Sequence, residues 1–242
     1  MDWYQKFISA FCRKAEFPQA HISVLLSSQS ANSGHSELVF TSCFDNDLAM
    51  KLELQSERLL LTPLALADLD LVLELWTDPA VVEYVCDVVT EEELRKEMSD
   101  AIKRGGNGGI GIWCVADRST REKLGETYLL PLPIDTDDTD FSLVVMGQMP
   151  DAEIEIGYFL KRSSWGKGYA TEICKRLLQF AFQQVSLKEV VATVDEDNAA
   201  SKKVLEKSGL RDRGRMRCYG KDSPIYRITR EEWKELRKTL DQ

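Results

Sequence analysis

Histidine is nearly missing from this chain. It occurs twice in 242 residues, as His21 and His35. Any site beyond them works without imidazole, which excludes a Ser-His-Asp triad, a Cys-His pair and almost every histidine-ligated metal centre there. Paired cysteines are missing too. The six are Cys12, Cys43, Cys86, Cys114, Cys174 and Cys218, and no two are closer than the 28 residues between Cys86 and Cys114. That spacing excludes a zinc ribbon, a zinc finger and a thioredoxin-type motif. Such scattered thiols read as small core hydrophobes in a cytoplasmic protein, and no metal is expected. No apolar run approaches the roughly 18 residues of a membrane-spanning helix, and no signal-peptide pattern is present. Basic residues are the minority: 31 Lys and Arg against 40 Asp and Glu, a net charge of −9. Neither nucleic acid nor a membrane surface is therefore an expected partner.

What is present is a folded composition, 43% hydrophobic and 29% charged. Its length suits one large domain or two small ones. Residues 1–49 stand apart. Trp3, Tyr4, Phe7, Ile8 and Phe11 follow helical spacing over 3–14, and a polar stretch runs from Ser27 to Gly34. This region reads as an extension, or as a segment not translated, with Met50 as the alternative start.

From residue 50 a second unit runs to 242. Lys51–Pro63 predicts a strand and Ala67–Thr77 a helix ended by Asp78-Pro79. Thr90 and Glu93 form a capping box for a helix reaching about Arg104. Ile110–Ala116 and Lys123–Leu130 read as a strand pair, and Phe141–Val145 as an extra strand. Ala152–Leu160 alternates strictly, with Ile154, Ile156 and Tyr158 on one face and Glu153, Glu155 and Gly157 on the other. Gly168–Val185 is a helix and Glu189–Val194 a strand. Asn198–Ser208 is a helix with Asn198 as N-cap and Gly209 at C′. Arg211–Tyr219 and Pro224–Thr229 form a hairpin before a last helix, Thr229–Leu240.

Chemistry concentrates in Arg162-Ser163-Ser164-Trp165-Gly166-Lys167-Gly168-Tyr169-Ala170-Thr171-Glu172. A strand enters a glycine-rich loop inside which a helix begins. Glycine lets the backbone approach a ligand, and the free N–H groups of a helix N-terminus favour an anion. The stretch therefore reads as a phosphate or pyrophosphate cradle. A Walker A loop does not fit, because Lys161 stands where its first glycine belongs and Tyr169 follows Gly168. A dinucleotide fingerprint has two of its three glycines, and Asp195 ends the next strand, but only 47 residues follow Asp195.

Coenzyme A is the third ligand. Residues 56–63 (Ser-Glu-Arg-Leu-Leu-Leu-Thr-Pro), 155–158 (Glu-Ile-Gly-Tyr), 165–172 (Trp-Gly-Lys-Gly-Tyr-Ala-Thr-Glu) and 198–209 (Asn-x-x-Ser, ending Lys-Ser-Gly) resemble the GNAT acetyltransferases. The likeness leans toward the branch holding the ribosomal-protein alanine N-acetyltransferases and spans about 54–236. It implies a mixed α/β (α+β) fold: a mostly antiparallel sheet of six to seven strands, a central parallel splayed pair and flanking helices. It implies acetyl-CoA as co-substrate, held by Tyr158, Phe159, Leu160, Ser163, Trp165, Gly166, Lys167, Gly168, Tyr169, Ala170, Thr171 and Asn198. Ser163 occupies the family's Gln/Arg position, with Arg162 one residue earlier.

The implied reaction is direct acetyl transfer to a primary amine, either a peptide N-terminus or a small molecule, by a monomer or homodimer. The alternative is a non-catalytic acyl-CoA sensor. Glu155 is the candidate base, with Glu153 a lesser rival. No tyrosine occurs over 195–210, so Ser201, one turn after Asn198, is the candidate acid. Tyr219 and Tyr226 stand behind it. The acidic loop Asp135, Asp137, Asp138 and Asp140 could draw a cationic acceptor. The 66–104 helices and the 219–224 turn are expected to wall its pocket.

Overall fold

A computed structural model describes residues 51–134 and 136–240. The expected 3–14 helix, the polar stretch, both histidines, Cys12, Cys43, Met50 and Asp135 lie outside the described residues. Eight strands form one sheet: β1 (Leu54–Gln55), β2 (Leu59–Pro63), β3 (Gly111–Asp117), β4 (Lys123–Pro131), β5 (Ile154–Leu160), β6 (Glu189–Thr193), β7 (Arg211–Cys218) and β8 (Lys221–Thr229). Their order is β1-β2-β3-β4-β5-β6-β8-β7. Every neighbouring pair is antiparallel except β5 and β6. The helices are α1 (Leu69–Trp76), α2 (Pro79–Val82), α3 (Glu91–Ala101), α4 (Tyr169–Gln183), α5 (Ala199–Lys207) and α6 (Arg230–Leu240).

Eight strands replace the expected six to seven because the 51–63 run breaks. Ser56-Glu57-Arg58 turn aside, and β1 folds back on β2 with Leu54 opposite Leu61. The expected strand over Phe141–Val145 is a 3₁₀ turn, Phe141–Leu143, capped by Asp140, whose carboxylate accepts from the Ser142 N–H at 2.9 Å. Asp78-Pro79 ends α1 as expected and also starts α2, with Asp78 accepting from the Ala80 N–H. The Thr90–Glu93 capping box forms in both directions and α3 stops at Ala101, short of Arg104.

The sheet is covered on both faces. On one, α4 inserts Ile173, Leu177 and Ala181 among Trp113, Ile154 and Ile156, all in the main core. On the other, α1 and α3 place Leu71, Val72, Leu75, Leu94 and Met98 against Leu64 and Cys114. Cys114, Cys174 and Cys218 are buried free thiols, as expected of packing cysteines.

The sheet opens at one place. β4 pairs with β5 along its whole length, from Gly125 opposite Leu160 to Pro131 opposite Ile154. β5 meets β6 at a single rung, Glu155 opposite Val191. Beyond it the parallel strands part, and the edge of β5 from Gly157 to Leu160 is left without a strand partner.

Candidate active site

The gap leads into a cavity of about 840 Å³. Its wall includes Tyr158, Phe159 and Leu160 of β5, Trp165, Gly166, Gly168, Tyr169, Ala170 and Thr171 of the following loop and helix, and Asn198 and Ser201 of α5. Ten of the twelve residues expected to hold the co-substrate thus gather on one wall. The other two do not reach it. Ser163 and Lys167 are exposed and do not line the cavity. Arg162 does not replace Ser163, because its guanidinium is paired with Asp78 at 2.7 Å.

The loop geometry accounts for its glycines. Gly166 (φ +72°) and Gly168 (φ +80°) adopt left-handed backbone, which costs a side-chain-bearing residue roughly 1–2 kcal/mol. Gly168 is the N-cap of α4 and brings no capping side chain, so no side chain occupies the first-turn N–H groups at the cavity wall. Trp165 turns back, its indole N–H donating to the Leu160 carbonyl at 2.8 Å. The loop is clamped by Arg58, just ahead of β2, which sequence reasoning missed. The Arg58 guanidinium donates to Glu172 (2.7 Å) and to the Lys167 carbonyl (2.9 Å), and lies 4.6 Å from the Tyr169 ring centre.

On α5 the Asn198 side chain accepts from the Ser201 N–H at 3.0 Å, as an N-cap should. The Tyr158 hydroxyl is buried beside Ser201. A buried hydroxyl, a serine and a glycine cradle on one wall fit a ligand carrying both phosphates and amides.

The expected base lies elsewhere than anticipated. Glu155, the candidate base, is 2% exposed and does not line the cavity. It sits beneath it, fully engaged. Its carboxylate accepts from the Thr193 N–H (3.0 Å), the Thr193 hydroxyl (2.5 Å), the Tyr219 hydroxyl (2.5 Å) and, weakly, the Tyr128 hydroxyl (3.4 Å). Burial raises its pKa against these hydrogen bonds. Tyr128 fits here only because Gly157 faces it, as a Cβ on Gly157 would lie 2.1 Å from the Tyr128 ring. Glu153 is paired with Arg227 at 2.7 Å, and Tyr226 is buried in the main core, so neither lines the cavity.

The opposite side of the cavity is lined from the 66–104 region and the 219–224 turn by residues such as Trp76, Tyr84, Met98 and Tyr219. Among the carboxyls that line it, Glu97, Glu126 and Asp138 are buried or half-buried with no cation beside them among the described residues. Burial, reinforced by Glu93 and Asp100, pushes Glu97 up to about 7. Burial with Glu97 nearby pushes Asp138 up to about 8. Glu126 was not anticipated. Its signal was a lone carboxylate inside the apolar strand Lys123–Leu130, which topology makes internal.

The split between β5 and β6 and the glycine-rich start of α4 together define the site. A family model described as acetyltransferase (GNAT) domain matches residues 58–211. The uncharacterized N-acetyltransferase p20 of Bacillus licheniformis is 27% identical over 173 residues, covering 69% of this chain and 87% of that one. An Aspergillus fumigatus protein named FsC-acetyl coenzyme A-N(2)-transacetylase is 26% identical over 196 residues, covering 76% and 79%. The crystal structure of a GNAT-family acetyltransferase from Bacillus anthracis superposes with a TM-score of 0.57 at 23% identity, covering 74% of this chain and 99% of that one. The chain belongs to the GNAT acetyltransferase family: it is an N-acetyltransferase, and the family's donor is acetyl-CoA.

Proposed function

We propose that this protein moves the acetyl group of acetyl-CoA directly to a primary amine that enters between α1–α3 and the β7–β8 hairpin. The single rung between β5 and β6, with the Gly166–Gly168 cradle at the mouth of the gap, carries this reading. In it, the backbone from Trp165 to Thr171 receives the pyrophosphate. The unpaired edge Tyr158–Leu160 pairs with the pantetheine amides, and Asn198 turns its amide N–H toward the same arm. A backbone N–H on that edge receives the developing oxyanion. The Ser201 hydroxyl passes a proton to the leaving thiolate. The lean toward the ribosomal-protein branch rests on the motifs at 56–63, 155–158, 165–172 and 198–209, among them Asn198-x-x-Ser201. Glu155 acts as a positioning residue, holding the Tyr128 and Tyr219 phenols and joining β6 to β5.

The acceptor is a cationic amine. Glu97 and Asp138 offer carboxyls without counter-ions, and an ammonium there favours their ionised forms. The FsC relative, whose name carries an N(2) acceptor, accords with an amine.

Thermal-shift titrations with acetyl-CoA, CoA, NADH and ATP test the reading first. A ligand at 100 times its Kd adds about 2.7 kcal/mol, a rise of several degrees. Acetyl-CoA and CoA are expected to shift the melting point. Thiol release is then expected with monoamines and polyamines, or with peptides bearing a free N-terminus. A shift with NADH or ATP alone sinks the proposal.

A further inference from the structure

We propose that Glu126 is the general base of acetyl transfer, the carboxylate that takes the proton of the acceptor ammonium. The assignment rests on the acetyl-transfer reading above.

Glu126 lies on β4, opposite Cys114 of β3 and Phe159 of β5. Directly opposed residues in an antiparallel pair carry Cβ atoms about 4.5–5.5 Å apart on the same face. Its carboxyl therefore stands beside Phe159, in the strand whose far edge is open for the pantetheine. Trp76 of α1 closes over both: its ring centre lies 4.7 Å from that of Phe159, and its indole N–H donates to Glu126 Oε1 at 2.8 Å. The residue is 3% exposed and lines the cavity. Its Oε2 has no hydrogen-bond partner among the described residues. A carboxylate withdrawn from water, steadied on one oxygen and left free on the other, is costly to keep in a core unless it is used.

The other cavity-side carboxyls suit the role less. Glu155 has its lone pairs occupied by three strong donors. Glu97 is on α3 and Asp138 in the loop after β4, neither on a strand paired with β5. The titratable groups that feel Glu126 are Cys114 from β3 and Tyr128 from its own strand, and beyond Cys114 stand Asp68 and Lys123, paired with each other at 3.0 Å. Burial holds the thiol and the phenol in their neutral forms at neutral pH, raising Cys114 to about 12 and Tyr128 well above its usual value. From β5, Glu155 stands beyond Tyr128, and α1 presents the uncharged Trp76. Burial pushes the Glu126 carboxyl up to about 7, opposed only by the Trp76 hydrogen bond. That is the range in which a base both ionises and accepts readily at neutral pH.

The proton count closes. Glu126 takes one proton from the ammonium, and the freed nitrogen lone pair forms the N–C bond at the thioester carbonyl. The C–S bond then breaks with its electron pair going to sulfur. A second nitrogen proton reaches that sulfur through the Ser201 hydroxyl, and Glu126 releases its own to solvent.

The test uses the full chain and the best amine from the thiol-release screen. Glu126→Gln keeps an acceptor for the Trp76 N–H. Its kcat/KM at pH 7 is expected to fall roughly 100-fold or more, and the acid limb of the wild-type pH profile near pH 7 to vanish. The acetyl-CoA thermal shift is expected to stay. The loss should shrink for an acceptor already neutral at the assay pH, which needs no base. Glu155→Gln, by contrast, should keep the acid limb whatever it does to kcat. Trp76→Phe, which removes the bond steadying the carboxylate, should move the limb to higher pH. An active wild type whose Glu126→Gln variant keeps the limb and stays within about 3-fold overturns the assignment alone. So does a variant that loses the acetyl-CoA shift, or a Trp76→Phe limb that stays in place. A wild type that neither binds acetyl-CoA nor releases thiol with any amine overturns the acetyl-transfer reading, and this assignment with it.

Discussion

Gly157 and Tyr128 show how single residues set the floor of the cavity. The phenol of Tyr128 lies where a side chain on Gly157 would stand, at 2.1 Å from its Cβ position. Gly157→Ala must push the ring off the strand and its hydroxyl away from Glu155. The expected outcome is a loss of roughly 1–3 kcal/mol, typical of overpacking, read as a lower midpoint in urea. Glycines 166 and 168 were legible in the sequence because their role is conformational, and only glycine adopts positive φ freely. Asn198 was legible for a similar reason, since an N-cap acts on its own helix. Glu126 was not. Its burial and its one hydrogen bond come from Trp76, fifty positions earlier, and no local pattern contains that pairing.

At the scale of elements, Glu172 in the first turn of α4 explains the break in the first strand. Burial opposes its charge, but hydrogen bonds from the Arg58 N–H, the Ser56 hydroxyl and the Arg58 guanidinium outweigh it and hold its pKa low. Residues 56–58 leave the ladder to make those bonds, so one expected strand becomes β1 and β2. The same arginine donates to the Lys167 carbonyl, fixing the cradle to the sheet. Arg58→Ala is expected to raise the KM for acetyl-CoA roughly 10-fold while kcat changes little, since it loosens binding and not chemistry. Arg58 is substantially exposed, so its ion pair adds only about 0.2–1 kcal/mol and the melting point should hardly move. Steady-state kinetics set against a thermal melt separate the two effects.

For the whole molecule, the unpaired carboxyls of the cavity have a thermodynamic consequence. Glu126 is raised from 4.5 to about 7 by burial. A carboxyl raised on folding binds its proton more tightly in the native state, so its contribution is full below about 4.5 and is lost as pH rises toward 7. At about 1.36 kcal/mol per unit, Glu126 alone accounts for about 3 kcal/mol of lost stability across that window. The ligand-free protein is therefore expected to melt at lower temperature at pH 7.5 than at pH 5. Glu126→Gln should flatten its own share of that slope, Glu97 and Asp138 carrying the rest, and calorimetry at the two pH values checks it. A cationic acceptor should restore stability at the higher pH.

The sequence by itself determined the order of elements from β3 onward apart from the 141–145 turn, the cap at Asn198, the glycine cradle before α4 and the absence of histidine chemistry from the described domain. Each depends on backbone conformation or on residues within one or two turns of one another. Only the tertiary structure decided which carboxylate faces the cavity, since Glu155 and Glu126 occupy comparable places in alternating strands. The difference arises across strands and layers: Thr193 and Tyr219 close over Glu155, whereas α1 brings a single indole N–H to Glu126 and leaves its second oxygen free.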